Sequence, residues 1–190
     1  MDEILTLFQQ TGAILDGHFL LSSGLHSPRY VQCALVLQYP DKAALLGERL
    51  AAEFKSSGVQ TVMAPAVGGI LVAHEVARGL GVRAIFAERR QGQMQLGRGF
   101  HLSSGERVIA VEDVVTTGES LNEVVRIAND FGATVVGIGA LLNRSHDKWL
   151  ALGLPLHALL TLEIPLYQPA GCPLCQQGLP FNAPGTRQTA

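Results

Sequence analysis

Apolar positions along the middle of the chain follow two spacings, and each spacing predicts one kind of element. Within residues 41–57, apolar side chains from Leu46 to Phe54 recur at the spacing of one helix face, and a glycine ends the run. A short β-branched run over residues 59–66 predicts a strand, and helical spacing over residues 70–80 predicts the next helix. The predicted order is therefore helix, strand, glycine-containing loop and helix.

The alternation continues through the second half of the chain. Residues 82–87 predict a strand, whereas residues 91–99, with three glycines and no periodicity, predict a mobile loop. The apolar run 107–111 is typical of a parallel strand covered on both faces, and it ends at two acids. A helix over 121–131 and a buried strand over 134–142 follow. Alternating strands and helices predict an α/β fold with an open, mostly parallel sheet flanked by helices.

Composition limits the class of protein. Of the 190 residues, 47% are apolar and 16% are charged, whereas an average soluble domain has about 25% charged residues, so a disordered chain is excluded. No apolar run approaches the roughly 20 residues of a membrane helix, and the N-terminus opens with acids, so we expect no span and no secretory signal. A net charge of -2 provides no basic face, and nucleic acid is not an expected partner.

The cysteines bear on location and on metal binding. Three cysteines cannot all pair within one chain, which favours a cytoplasmic protein. Cys172 and Cys175 have the spacing of half a zinc site, and His146 and His157 are the candidates for further ligands. The favoured interpretation is nevertheless a plain turn with two thiols in an irregular tail. Five histidines without metal spacing are interpreted as surface or loop residues, namely His26, His74, His101, His146 and His157.

The segment 108–120 (VIAVEDVVTTGES) carries the clearest chemistry. Two carboxylates at a buried strand end, Glu112 and Asp113, are costly to desolvate together, so we expect them to face a cleft at the sheet edge. Such a pair accepts hydrogen bonds from vicinal hydroxyls and attracts a divalent cation. Thr116 and Thr117 then lead into a helix whose first amides favour an anion. The alternative, an acidic strand end followed by a threonine N-cap, explains Thr117 but not the acid pair.

This segment resembles the phosphoribosyl pyrophosphate (PRPP) motif of type I phosphoribosyltransferases, in which four apolar residues, two acids and two apolar residues precede Thr-Thr/Ala-Gly. The resemblance implies that Glu112 and Asp113 hold the ribose hydroxyls. It also implies Mg2+ as cofactor, held mainly by PRPP and water rather than by certain protein ligands. Glu119 departs from the small residue often found there, and its side chain should turn outward. The implied PRPP contacts that follow the acids are Val114, Val115, Thr116, Thr117, Gly118, Glu119 and Ser120.

A second loop, 64–70 (APAVGGI), resembles the pyrophosphate loop of the same family. Val67, Gly68 and Gly69 are its implied PRPP contacts, because glycines let backbone amides approach an anion. Gly68 stands where relatives often carry a lysine, and the resemblance implies a cis bond between Ala66 and Val67. The alternative is a glycine turn that admits the helix close to the sheet.

Base recognition is implied by residues 17–30 (GHFLLSSGLHSPRY), which resemble the N-terminal hood of orotate phosphoribosyltransferases, although Ser22 stands where some members have lysine. Without the resemblance this segment would be interpreted as a hairpin turn. The implied domain is a single one, with a hood of about 1–40 plus parts of the tail and a core of about 41–165. Arg144, after a buried strand, matches the arginine that reads orotate. The implied orotate contacts are Thr116, Arg144, Ser23, Gly24 and Tyr30.

Charge for the leaving pyrophosphate must come from Mg2+ and from arginines, because none of the three lysines of the chain matches a family catalytic position. The three are Lys42, Lys55 and Lys148. Arg89, Arg90 and Arg98 flank the predicted loop, which resembles a catalytic loop that enters the neighbouring subunit's site and so implies a homodimer with shared sites. A solvated charged face is the alternative. The implied catalytic residues are Asp113, Glu112, Arg89 and Arg98.

The resemblance as a whole implies an orotate phosphoribosyltransferase of pyrimidine biosynthesis, with PRPP and orotate as substrates. A phosphoribosyltransferase for another base and a PRPP-sensing regulator on the same fold are the alternatives. The regulator would be expected to carry a DNA-binding segment or a basic face, and the sequence offers neither.

Overall fold

The computed structural model describes residues 3–21, 23–145 and 153–182. They fall into two compact units. The smaller unit contains the described residues up to Val36 and those from Glu163 onward, and the larger unit is Leu37–Leu162. Ser22, His146 and Lys148 lie outside the described residues.

The elements are numbered in chain order. The helices are α1 (Glu3–Gln10), α2 (Ala34–Leu37), α3 (Pro40–Ala52), α4 (Gly69–Leu80), α5 (Glu119–Asp130) and α6 (Pro173–Gln176), with a 3-10 turn at Pro169–Gly171. The strands are β1 (Ile14–Leu20), β2 (His26–Val31), β3 (Thr61–Pro65), β4 (Arg83–Arg90), β5 (Gln93–Leu96), β6 (Arg107–Val115), β7 (Thr134–Asn143) and β8 (Leu156–Thr161). Among the described helices, none combines the length and apolar character that crossing a membrane requires.

The larger unit is built on a six-stranded sheet in the order β5-β4-β3-β6-β7-β8. All neighbours are parallel except β4 and β5, which confirms the predicted open, mostly parallel sheet. The centre of the sheet is buried: β3 is buried throughout, and β6 is buried from Val108 to Val111. Glycines in the left-handed conformation follow two of the helices, with Gly81 at φ 69° after α4 and Gly132 at φ 75° after α5.

Strand β6 is longer than predicted. Its pairing with β3 stops at Met63–Ala110, whereas its pairing with β7 continues to Val115–Asn143. The prediction that the strand ends at the acids was therefore wrong. Glu112 and Asp113 lie within β6, on the stretch where the strand is still paired with β7 but no longer with β3.

The mobile loop predicted for residues 91–99 is also wrong. Gln93–Leu96 forms β5, which pairs antiparallel with the end of β4. Gln91 at φ 52° and Gly92 at φ 83° supply the two positive φ angles of a tight two-residue hairpin turn. Met94 and Leu96 pack against the core of the larger unit, which holds the hairpin against the sheet.

The smaller unit is centred on the hairpin of β1 and β2, as the bare sequence interpretation predicted. The tail, predicted to be irregular, contains a 3-10 turn and α6. It lies along both hairpin edges, because Tyr167 exchanges backbone hydrogen bonds of 2.9 Å with His26 while Asn182 bonds to His18 and Leu20. The surface interpretation of His26 is wrong, since its side chain is buried.

Candidate active site

The acid pair on β6 is half-buried, and burial governs its titration. Burial first, and the neighbouring Asp113 second, raise the pKa of Glu112 to about 8. Burial also raises the pKa of Asp113, although the backbone N–H of Val114, which donates to Asp113 Oδ1 at 2.9 Å, partly opposes this. Such a pair favours a ligand that brings hydroxyl donors or a cation, because either one stabilises the ionised carboxylates.

The glycine loop after β3 lies directly against Asp113. A Cβ on Gly68 would come within 2.7 Å of Asp113 Oδ2 and 2.8 Å of both Cγ and Oδ1. Gly68 has an ordinary helical backbone and is exposed, so close approach rather than backbone conformation requires glycine here. The predicted cis bond between Ala66 and Val67 is confirmed. The part of the loop at Gly68, here called the Gly68 wall, lies directly against the Asp113 carboxylate.

Gly69 has a different role from its neighbour. It is buried, and a Cβ there would meet Ala64 Cβ at 2.8 Å and the Val111 carbonyl oxygen at 3.3 Å. The alternative interpretation of the loop, a glycine that admits a helix close to the sheet, therefore explains Gly69 by packing alone. It does not explain Gly68.

The segment after the acids turns sharply into α5. Gly118 takes a left-handed conformation at φ 74° and is the N-cap residue, so the alternative interpretation, in which Thr117 caps the helix, is wrong. Thr117 Oγ1 still accepts a long 3.4 Å hydrogen bond from the Glu119 N–H. Thr116 and Thr117 are exposed, and Glu119 is exposed on the first helical turn. Threonine hydroxyls and a helix N-terminus thus lie together beyond the acids, which is an arrangement suited to a phosphate.

The three arginines predicted to bind pyrophosphate are all exposed and all paired. Arg89, on β4, donates to Glu123 Oε1 on α5 at 3.1 Å. Arg90 and Arg98 share Glu88, at 2.7 Å and 3.0 Å, and these two partners lower the pKa of its carboxyl. Exposed ion pairs of this kind contribute little to stability, so a pyrophosphate could displace them.

Glu88 and Glu123 were missed by the sequence interpretation. Glu88 sits within the run FAERR, directly before two arginines on the same strand, and this closeness of opposite charges was the available sign of local pairing. Glu123 could not have been matched to Arg89, because the contact joins residues 34 positions apart on different elements.

The backbone of Arg144 is joined to the end of β6, next to the segment that leads into α5. Its backbone N–H donates to the Val115 carbonyl at 2.9 Å, one residue beyond the Val115–Asn143 pairing of β6 and β7. Asn143 Oδ1 accepts from both the backbone and the hydroxyl of Ser145, at 3.0 Å and 2.7 Å, which fixes the turn around Arg144. Arg144 is therefore half-buried beside the end of β6.

The predicted hood contacts belong to the smaller unit. Ser23 and Gly24 are exposed in the turn between β1 and β2, where Gly24 has φ 79°. Tyr30, on β2, packs its ring against Phe19 with centroids 5.7 Å apart. These positions remain predicted orotate contacts.

Comparison with known proteins decides the family. The family described as "Phosphoribosyl transferase domain" matches residues 38–151. The chain belongs to the phosphoribosyltransferase family. It is 54% identical to an orotate phosphoribosyltransferase of Pelotomaculum thermopropionicum over 98% of each chain, and 48% identical to that of Thermotoga maritima over 95% of this chain and 96% of the relative. These relatives confirm the predicted resemblance.

The fold comparison agrees with the sequence comparison. The crystal structure of orotate phosphoribosyltransferase from Aeropyrum pernix superimposes with a TM-score of 0.72 at 26% identity, covering 84% of this chain and 94% of that one. The predicted type I phosphoribosyltransferase fold is thereby confirmed. In this phosphoribosyltransferase, the larger unit brings together the acid pair, the Gly68 wall, the start of α5 and the backbone of Arg144.

Proposed function

We propose that this phosphoribosyltransferase transfers the 5-phosphoribosyl group from PRPP to orotate, giving orotidine 5-monophosphate and pyrophosphate in pyrimidine biosynthesis. The observation that carries the proposal is the 54% identity to a relative named orotate phosphoribosyltransferase over 98% of both chains. The Asp113 carboxylate that faces Gly68 supports the phosphoribosyl part, and Arg144 beside Val115 supports the orotate part.

The proposed chemistry is a displacement at C1 of the ribose. The C1–oxygen bond breaks, pyrophosphate leaves with the electron pair, and a ring nitrogen of orotate forms the new bond on the opposite face, with inversion. Glu112 and Asp113 would accept hydrogen bonds from the ribose hydroxyls, and the threonines and amides before α5 would hold the 5-phosphate. Orotate is already an anion, so the rate would come from positioning and charge stabilisation rather than from a strong base.

The site residues fit a magnesium ion. Mg2+ prefers oxygen ligands, and two adjacent carboxyls whose pKa values are raised by burial gain from a nearby cation. Glu112 and Asp113 would hold the ion directly or through water, and PRPP would supply most of its ligands. When bound, magnesium would neutralise charge on the pyrophosphate.

We also propose a homodimer in which Arg89 serves the partner's site. Mixing Arg89→Ala chains with Asp113→Asn chains should restore activity, because half of the randomly assorted dimers are mixed and each has one intact site. Recovery should approach about a quarter of wild-type activity. Asp113→Asn chains mixed with an Arg89→Ala, Asp113→Asn double variant should recover nothing. Absent recovery despite demonstrated subunit exchange would contradict the shared site.

A cytoplasmic location remains a prediction.

The substrate proposal is tested with purified protein, magnesium, PRPP and a panel of bases that includes orotate, uracil, adenine and hypoxanthine. We expect pyrophosphate release with orotate to exceed that with the other bases by at least about a hundredfold, because a buried carboxylate contact discriminates strongly. Faster turnover of another base would show that the enzyme is specific for that base rather than for orotate. PRPP binding without turnover of any base would favour the regulator.

A further inference from the structure

Four potential metal ligands converge in the smaller unit. They are His18 on β1, His26 on β2, Cys172 directly before α6, and Cys175 within α6. Their nearest ligand atoms all lie within 4.8 Å of one another. The sequence interpretation had considered His146 and His157 as partners of the cysteines. His146 lies outside the described residues, and His157 contacts Glu53 at 3.2 Å instead.

The separations match the edges of a small tetrahedron. Zinc bonds of about 2.0–2.1 Å to nitrogen and about 2.3 Å to sulfur give tetrahedral edges of about 3.3 Å for N···N and about 3.5 Å for N···S. His18 Nε2 lies 3.6 Å from Cys172 Sγ and 3.7 Å from Cys175 Sγ, and His26 Nδ1 lies 3.3 Å from Cys175 Sγ. The two ring nitrogens are 2.9 Å apart, so of these four edges the one between the nitrogens would have to lengthen most.

The surroundings orient the ligand atoms. His18 Nδ1 lies 2.8 Å from the Leu179 carbonyl oxygen, a pure acceptor, so Nδ1 carries the proton and Nε2 turns its lone pair toward the cluster. His18, His26 and Cys172 are 3%, 5% and 1% exposed. The ring of Phe181 packs against both imidazoles, with centroids 5.7 Å and 5.5 Å away. A backbone acceptor behind one histidine and an aromatic wall beside both are features of a protein metal site.

Hydrogen bonding alone accounts for the cluster less well. A proton on His26 Nδ1 could be donated to His18 Nε2, which would satisfy these two atoms. Two thiols, which are weak donors and weak acceptors, would then face the same pair of nitrogens. The Cys-x-x-Cys spacing, with the first cysteine at the N-cap of a short helix, is the arrangement by which one segment supplies two thiolates to one ion.

We propose that His18 Nε2, His26 Nδ1 and the thiolates of Cys172 and Cys175 bind one structural Zn2+. Four protein ligands fill a tetrahedral shell and leave no position for substrate, so the ion would be structural rather than catalytic. On binding, both thiols lose their protons to solvent and each sulfur donates an electron pair to the metal, without any change in oxidation state. The ion would fasten the tail to the hairpin of β1 and β2.

The test measures metal rather than activity, so its outcome is independent of the proposed substrate. Full-length protein, produced with added zinc and freed of loose metal by gel filtration, should contain about one zinc per chain by mass spectrometry. Cys175→Ser and His26→Ala should each lower the content at least about fivefold. Cys33→Ala, which removes a buried cysteine outside the cluster, should leave it unchanged.

Cobalt substitution keeps the proposal testable if the ligand variants fail to fold. Wild-type protein loaded with Co2+ should show the intense visible bands of tetrahedral coordination together with thiolate-to-metal charge transfer. Folded wild-type protein with neither zinc nor these bands would overturn the proposal. Zinc retained at the wild-type level in Cys175→Ser, or a Cys172–Cys175 disulfide in protein purified without air, would overturn it as well.

Discussion

Replacing Gly68 by alanine tests the wall of the active site most directly. The new Cβ would lie 2.7–2.8 Å from three atoms of the Asp113 carboxylate. Ordinary contact begins at 3.4 Å, so the carboxylate or the loop must move by about 0.7 Å. Gly69 is packed against Ala64 and Val111, which holds the loop in place, so we expect Asp113 to move.

The expected cost falls on catalysis rather than on folding. Displacing a positioning group by about 1 Å costs on the order of a hundredfold in rate, so kcat/KM for PRPP should fall about ten- to hundredfold, or about 1.4–2.7 kcal/mol. Because Gly68 is exposed and its backbone is helical, Tm should change little. Gly69→Ala should instead affect stability, lowering the free energy of unfolding by about 1–3 kcal/mol through overpacking.

Steady-state kinetics with varied PRPP, together with thermal unfolding, separate these effects. Gly171→Ala is the matched control, because its Cβ would meet no atom within 4 Å and its backbone is not left-handed. It should behave like wild type in both assays. Unchanged kcat/KM and Tm in Gly68→Ala would show that the loop yields freely, and the reasoning about Asp113 would be refuted.

Three further predictions concern charged groups. Asp113→Asn should remove most turnover with the fold intact by circular dichroism, and Glu112→Gln should have a smaller effect; an Asp113→Asn enzyme within about threefold of wild type would contradict its role. Arg144→Ala should raise the KM for orotate about ten- to hundredfold, corresponding to ~1.5–3 kcal/mol, and should raise the KM for PRPP far less. Equal effects on the two KM values would exclude a specific orotate contact. In the folded protein the pKa of Glu112 is raised to about 8, so folding favours its protonated form. The stability gained in this way is complete below the unfolded pKa and is lost as the pH rises through about 8. Melting curves of ligand-free protein should show this loss between about pH 5 and 8 in wild type and a smaller one in Glu112→Gln.

The sequence predicted those features that depend on neighbouring residues. Helical spacing located α4 and α5, and continuous apolar runs located β6 and β7, because each element buries its own periodic face. The end of β6 could not be predicted, since its last residues are held by pairing with β7 after β3 has ended. The β4–β5 hairpin was missed because four residues with two half-buried apolar side chains give too short an alternation.

The predicted and missed parts of the sites divide in the same way. The acids and the phosphate segment form one continuous motif, so local pattern was sufficient to find them. The histidines of the proposed zinc cluster are separated from the cysteines by long stretches of chain, with Cys175 and His26 149 positions apart. Their meeting depends on the register of β1 and β2 and on the tail along the hairpin edges, and neither is encoded in a local spacing.

The division of the smaller unit between the two ends of the described chain has a consequence for biosynthesis. The β1–β2 hairpin leaves the ribosome before the larger unit, whereas Tyr167 and Asn182, which pair with its two edges, follow that unit. The edges of the hairpin therefore wait, unpaired by the tail, while the whole larger unit is synthesised. Exposed strand edges invite pairing with other chains, so the nascent protein is most vulnerable to misassembly in this interval. A truncation that removes Tyr167 and Asn182 would thus leave both edges of the β1–β2 hairpin unpaired by the tail.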